Sequence, residues 1–186
     1  MENSSKKNLI TTLTTPLGAM FVCATKNGIC LLEFIDEENT KTQFENIQKK
    51  LNISVLEEKN KHIIQAKKEL EEYFEGKRMT FEVKLEYIGT DFQKKVWKNL
   101  HQIEYGKTRS YQQQSEYLGN LKAIRAVASA NGMNKIAIIV PCHRVIGKNG
   151  KLTGYAGGLE RKKWLLLHEN KHKPNNEQNE KEWSLF

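Results

Sequence analysis

Read for its apolar and polar positions, the chain opens with strands and helices in alternation. Residues 9 to 35 carry apolar runs broken by turn residues and read as strands. Within them, Lys26-Asn27-Gly28 separates two apolar runs in FVCATKNGICLLEF, the pattern of a β-hairpin. Thr40 to Leu51 sets Phe44, Ile47 and Leu51 at helical spacing. In HIIQAKKELEEYFEGKR the positions Ile63, Ala66, Leu70, Tyr73 and Phe74 make one stripe, and Gly76 stands where a helix C-terminal cap is expected. TFEVKLEY alternates Phe81, Val83, Leu85 and Tyr87, which predicts a half-buried strand. This mixture predicts an N-terminal α/β domain over residues 1–88.

From Gly89 the pattern changes to short helices. Thr90 and Gln93 have capping-box spacing ahead of Phe92, Val96, Trp97 and Leu100, and Ser110 and Gln113 repeat it ahead of Tyr111, Tyr117 and Leu118. The second of these helices should stop at Gly119-Asn120, and a further one should run from Leu121 to Ala130 and end at Asn131-Gly132. Helix, tight glycine-containing turn, helix is the arrangement of a helix-turn-helix, although any pair of antiparallel helices looks similar. The alanine-lined second helix carries a single Arg125, which would let its backbone approach a nucleic acid closely while one long side chain projects. The apolar run Ile136 to Val140 reads as a buried strand-like segment that delivers Cys142 to a chain reversal. The glycines of TGYAGG and a helix through LERKKWLLLHE follow. These elements make a second domain over 89–170, and a polar tail over 171–186.

Composition narrows the class. Thirty Lys and Arg against 22 Asp and Glu give a net charge of +8, which suits a polyanionic partner. No run of about 18 apolar residues is present and no signal-like block follows the N-terminus, so a cytoplasmic protein without membrane contact is expected. Three cysteines, Cys23, Cys30 and Cys142, are too few and too scattered for a disulfide framework. Cys23 and Cys30 flank the hairpin turn and read as small buried hydrophobes. Metal ligands at compatible spacing are lacking, so no metal site is expected.

Cys142 is different in kind. In IVPCHRVIGKNG it stands between Pro141 and His143, with Arg144 next. A cysteine attacks as its thiolate and needs a base or a cation nearby, so His143 and Arg144 are candidate activators. Glu169, directly after His168 in the last helix, is a candidate third group to hold the imidazole in one tautomer. A buried structural cysteine beside a satisfied histidine has the same local signature, as does a solvated carboxylate near a helix end.

PCHRVIGKNGKLTGYAGGLERKKWLLLHE resembles the active-site signature of the O6-alkylguanine-DNA alkyltransferases, or methylated-DNA--protein-cysteine methyltransferases, especially the bacterial type. GTDFQKKVW, YGKTRSYQQ and KAIRAVASANG are similar to that family's other blocks in the same order, and the resemblance covers about Gly89 to Glu169. It is weaker over TPLGAMFVCATKNGICLLEF and ELEEYFEGKR. The resemblance implies a ribonuclease H-like N-terminal domain and a mainly α, winged helix-turn-helix-like C-terminal domain. It implies irreversible transfer of an alkyl group from O6-alkylguanine in double-stranded DNA to Cys142, once per molecule and without cofactor, by a monomer bound in the minor groove. O4-methylthymine is a further candidate substrate.

By position the resemblance makes Cys142 the acceptor. His143 would take its proton through a water, Glu169 would orient His143, and Asn134 would brace the network. Tyr111 would assist the leaving guanine and contact the flipped phosphate, and Arg125 would fill the vacated place in the base stack. Gln112 and Ala123 match groove contacts. Val140, Tyr155, Ala156 and Gly157 match the pocket wall. The chain departs from the family at Ala128, where glycine is common, and at Leu121 and Lys135, where proline is. The lost proline should leave the loop beside Asn134 looser. Ala156 replaces a serine of some relatives, which fits a broader pocket. A lesion sensor of the same fold lacks the acceptor cysteine, a cysteine hydrolase would need an acyl-binding site, and a purely structural DNA-binding protein leaves PCHRV without purpose.

Overall fold

The computed structural model describes residues 9–51 and 60–174. Three antiparallel strands, β1 (Leu9–Thr15), β2 (Gly18–Ala24) and β3 (Ile29–Phe34), form one sheet in that order, with Leu13 opposite Met20 and Cys23 opposite Leu31. Residues 20–24 are all buried because both faces of the sheet are covered. On one face Phe21, Cys23, Cys30 and Leu31 meet Phe44 and Ile47 of helix α1 (Thr40–Leu51). On the other, Met20, Val22, Leu32 and Phe34 join a larger core with Ala66, Leu70 and Tyr73 of helix α2 (Lys61–Phe74). Asn60 caps α2 through its side chain, and Gly76 follows its end with φ of 73°. Cys23 and Cys30 are buried thiols, as expected of small hydrophobes.

The alternation of 81–87 is present, with Val83 buried and Phe81, Leu85 and Tyr87 half-buried, but the predicted strand is not. The reason lies in where its backbone donors go. The buried Glu69 carboxylate of α2 accepts from the amides of Glu82 (2.9 Å) and Val83 (3.1 Å), and a single parallel bridge joins Leu85 to Ile29.

Helices α3 (Asp91–Leu100) and α4 (Tyr111–Tyr117) both carry complete capping boxes, from Thr90 and Gln93 and from Ser110 and Gln113. A 3₁₀ turn over 121–123 precedes α5 (Ile124–Gly132), so that helix starts later than its pattern predicts and runs through Gly132. A reciprocal amide pair fixes α4 against α5. Asn131 Nδ2 donates to Gln114 Oε1 at 2.6 Å and Gln114 Nε2 to Asn131 Oδ1 at 3.2 Å, both buried. Trp97 Nε1 donates to the Ala130 carbonyl at 2.7 Å and ties α3 to the same helix.

Ile136 to Val140 is buried, as expected, but it turns instead of extending. Ile139 N donates to Ala137 O and Val140 N to Ile136 O, and Ile138 has a φ of 69°. That left-handed conformation is uncommon for a β-branched residue and is held here by close packing. One bridge, Leu32 to Ile136, anchors the turn on the edge of β3. The Lys135 ammonium pairs with Glu33 at 2.8 Å and the Lys135 carbonyl accepts from Leu32 N at 2.7 Å.

A 3₁₀ turn over 142–144 leads into β5 (Val145–Ile146), which pairs in parallel with β4 (Arg109–Ser110). Helix α6 (Leu159–His172) extends two residues past the predicted start of the polar tail, and Lys173 is buried beyond it. His172, at the end of α6, packs on His168 with ring centroids 4.4 Å apart. Residues 175–186 of the predicted tail lie outside the described residues. The larger core runs through both halves, from Met20 and Leu70 to Trp97, Val127, Val140 and Leu165. Among the described residues no helix is long and apolar enough to cross a membrane.

Candidate active site

The β4–β5 pair is short, but it decides the geometry. It sets Ser110 beside Ile146, so the N-terminus of α4, with Tyr111 as its first residue, arrives next to the turn that carries Cys142. Between α4, α5 and the loop 153–156 lies a cleft of about 410 Å³, lined among others by Tyr111, Arg125, Ala128, Cys142, Tyr155 and Ala156. Cys142 is 9% exposed, and that exposure is into this cleft.

Behind the cleft the polar groups converge. Asn134 closes its own loop, accepting from Ile136 N at 3.0 Å and donating through Nδ2 to the Val140 carbonyl at 2.9 Å, and the same amide lies 3.1 Å from Cys142 Sγ. His143 is fully buried, with Nε2 2.7 Å from Glu169 Oε1. Arg144 grips the same carboxylate through Nε to Oε2 (2.9 Å) and Nη2 to Oε1 (3.0 Å), and reaches the Ile103 carbonyl at 2.7 Å. Glu169 is therefore no solvated carboxylate. It lies inside α6, fully buried, and accepts further bonds from Gly106 N (3.1 Å) and the Tyr73 hydroxyl (2.8 Å).

Burial works against an ionised Glu169, but its interactions with His143 and Arg144 outweigh it and hold the carboxyl well below the usual range. Burial lowers the proton affinity of His143 against the pull of Glu169, so the ring rests neutral. An ionised carboxylate only accepts, so Nε2 carries the proton and Nδ1 is left as a basic nitrogen. Nδ1 is buried and bonds to no protein group among the described residues. Burial raises the Cys142 thiol, while the Asn134 amide and the charge of Lys162 pull it down.

Lys162 was not evident from the sequence. It is completely buried on α6, and its ammonium donates to the carbonyls of Val145 (2.5 Å), Thr153 (2.6 Å) and Gly154 (3.3 Å). Burial pushes its pKa down to about 8, opposed by the Cys142 charge. The clamp ties the loop over the cleft to the strand that follows the Cys142 turn. In sequence, a lysine on a helix rich in charge reads as a solvated side chain, and no local signal marks it otherwise.

The predicted site residues divide by location. Cys142, Tyr111, Arg125, Tyr155 and Ala156 line the cleft, and Asn134, His143 and Glu169 support it from behind. The Tyr111 hydroxyl lies 3.4 Å from the carbonyls of Thr153 and Gly154. Val140 does not form cleft wall. It is fully buried in the core and serves through its carbonyl, on Asn134. Gly157 faces a neighbouring cavity, where an added Cβ would meet the Phe34 ring at 2.8 Å. Gln112, half-buried and bonded to Glu116, and Ala123, in the turn before α5, lie outside the cleft lining. Among the described residues no group of three or more His, Cys, Asp or Glu side chains converges to hold a metal.

Comparison with known proteins adds the family. Residues 8–87 match the model of the 6-O-methylguanine DNA methyltransferase ribonuclease-like domain, and 91–171 match that family's DNA binding domain. A methylated-DNA--protein-cysteine methyltransferase of Methanosarcina barkeri is 43% identical over 160 residues, 85% of this chain and 95% of that protein. The constitutive enzyme of Bacillus subtilis is 42% identical over 161 residues, covering 87% and 94%. The structure is similar to that of the Mycobacterium tuberculosis protein OGT in complex with DNA, with a TM-score of 0.76 and 38% identity over 90% of this chain and 96% of that one. With both domain models matched in order and relatives aligned over nearly their full length, the chain belongs to the 6-O-methylguanine DNA methyltransferase family.

Proposed function

We propose that this chain performs its family's reaction, repair of alkylated DNA by transfer to a cysteine of the protein, and that Cys142 is the acceptor. The observation that carries this assignment is one thiol that opens into a cleft, lies 3.1 Å from the Asn134 amide, and is followed in the chain by His143, whose Nε2 is held by Glu169 while its Nδ1 bonds to no protein group among the described residues. The thiol proton passes to His143 Nδ1 through a water, leaving a thiolate that the Asn134 amide stabilises. The sulfur attacks the alkyl carbon on guanine O6. The new S–C bond forms as the C–O bond breaks, and its electron pair leaves with the guanine. The Tyr111 hydroxyl gives the departing base a proton and regains one from solvent, while His143 releases to solvent the proton it took, so the net change is one proton from cysteine to guanine and one alkyl group in return. The thioether formed has no proton to lose, which limits each chain to one transfer.

The alkylated oxygen of a paired base is out of reach of a thiol in a cleft, so the nucleotide must leave the stack. Arg125, exposed on α5 at the cleft mouth, has the reach to fill the gap it leaves. The small residues of α5, Ala126, Ala128 and Ser129, suit close approach along a minor groove, with Gln112 and Ala123 on the flanking surface. Residues 89–170 are the acceptor domain and 1–88 its support, and a monomer suffices because every group named comes from one chain. Ala156, a small side chain in the cleft lining, fits a broad pocket for the alkyl group.

Cys142→Ser tests the assignment. The variant should bind duplex DNA containing O6-methylguanine with unchanged affinity and remove none of its methyl groups. Stoichiometric transfer by the variant would move the acceptor elsewhere.

A further inference from the structure

Tyr73 stands on α2, in the half of the chain that carries none of the reacting groups. It is completely buried, and its ring is enclosed by Phe74, Phe81, Tyr105 and His168, with centroids 5.3 to 5.9 Å away. Two hydrogen bonds tie it to consecutive residues of α6. His168 Nε2 donates to the Tyr73 carbonyl at 2.7 Å, and the Tyr73 hydroxyl donates to Glu169 Oε1 at 2.8 Å. Oε1 is also the oxygen that holds His143. We infer that Tyr73 is a positioning residue for the transfer, which sets the basicity of His143 by sharing its carboxylate partner and so governs how readily Cys142 ionises.

The argument is one of competition for a single oxygen. Each donor on Oε1 draws charge from it, and a carboxylate that accepts several bonds stabilises a neighbouring imidazolium less. The charged and titratable groups facing Glu169 are His143 and Arg144 from the acceptor turn, Tyr105 from the loop before β4, and Tyr73 from α2. His168 precedes it on α6. Beyond the imidazole lie Lys162, Cys142 and Tyr155. Of these, Arg144 is fixed in charge, and the Tyr73 phenol stays protonated because burial and the Glu169 charge both raise its pKa. Tyr73 is therefore a constant donor, supplied by the N-terminal half. Removing its hydroxyl leaves Oε1 with His143 and Arg144 and orphans no buried group, so the fold is retained while the imidazole becomes the stronger base.

This inference rests on Cys142 being the reacting thiol, and the test separates the two. The pH dependence of Cys142 alkylation by iodoacetamide, read by peptide mass in the full chain, reports the thiol without DNA. For Tyr73→Phe the midpoint should move to lower pH by about half a unit, the equivalent of one modest hydrogen bond. Tyr73→Leu, which also removes the ring, should show the same shift with a lower melting temperature. An unchanged midpoint in both variants, with stability alone reduced, would make Tyr73 a packing residue and overturn the inference, as would a shift to higher pH. Transfer from methylated duplex is measured in parallel. Failure of the unmodified chain to take up methyl would remove the acceptor assignment, and with it the meaning of the shift for repair.

Discussion

At the residue scale the candidate site joins a thiol, a neutral imidazole and a carboxylate whose protonation states are set by burial and by the groups around them, Asn134 and Lys162 for the thiol and Arg144 for the carboxylate. The sequence exposes the thiol and the imidazole because they are adjacent, in PCHRV. It exposes little of what holds them, since the partners are distant along the chain. Glu169 lies 26 residues from His143 and 96 from Tyr73. Lys162 is the strongest example, a buried cation that pairs with no carboxylate among the described residues and is held by three carbonyls. Lys162→Met should cost about 2 kcal/mol, because the Val145 and Thr153 carbonyls lose their donor inside the protein. Urea unfolding would show it as a lower midpoint with an unchanged slope, and the loop over the cleft should loosen enough to slow transfer. A midpoint equal to that of the unmodified chain would mean that water replaces the ammonium without penalty.

At the element scale the site depends on how short elements are aimed. The capping boxes of α3 and α4 are plain in the sequence because their signals lie within four residues. The segments 81–87 and 136–140 misread as strands because their apolar patterns are real, while their backbone bonds go to side chains of Glu69 and Asn134 that periodicity does not register. Ser110→Ala removes the cap that starts α4 and should cost about 1 kcal/mol. Since Tyr111 is the first residue of that helix, duplex repair should fall further than stability alone explains. Arg125→Ala, on α5, should reduce repair of duplex roughly tenfold or more while sparing reaction with a free O6-alkylguanine base, because only the duplex pays for unstacking. Equal losses on the two substrates would contradict the stack-filling role.

At the scale of the whole molecule, one core joins the halves that the sequence divides near residue 88, and the acceptor network is completed from both. Folding is therefore coupled to the ionisation of the site. His143 is held below its ordinary 6.5 and Glu169 below its ordinary 4.5, so in both cases the unfolded chain takes up a proton that the folded chain refuses. The contribution of these two groups to stability should be complete above 6.5, begin to fall as the pH passes below it, and fall further below 4.5. Urea midpoints measured along that series would check it, and a flat profile would contradict the buried network. The net charge of +8 predicts in addition that affinity for duplex DNA declines with salt as phosphate contacts release counterions. The central claim, that one buried cysteine accepts one alkyl group, is met most directly by intact mass. After incubation with excess duplex carrying O6-methylguanine, the chain should gain a single methylene, saturating at one per molecule and mapping to the Cys142 peptide. An unchanged mass, or a gain mapped to Cys23 or Cys30, would contradict it.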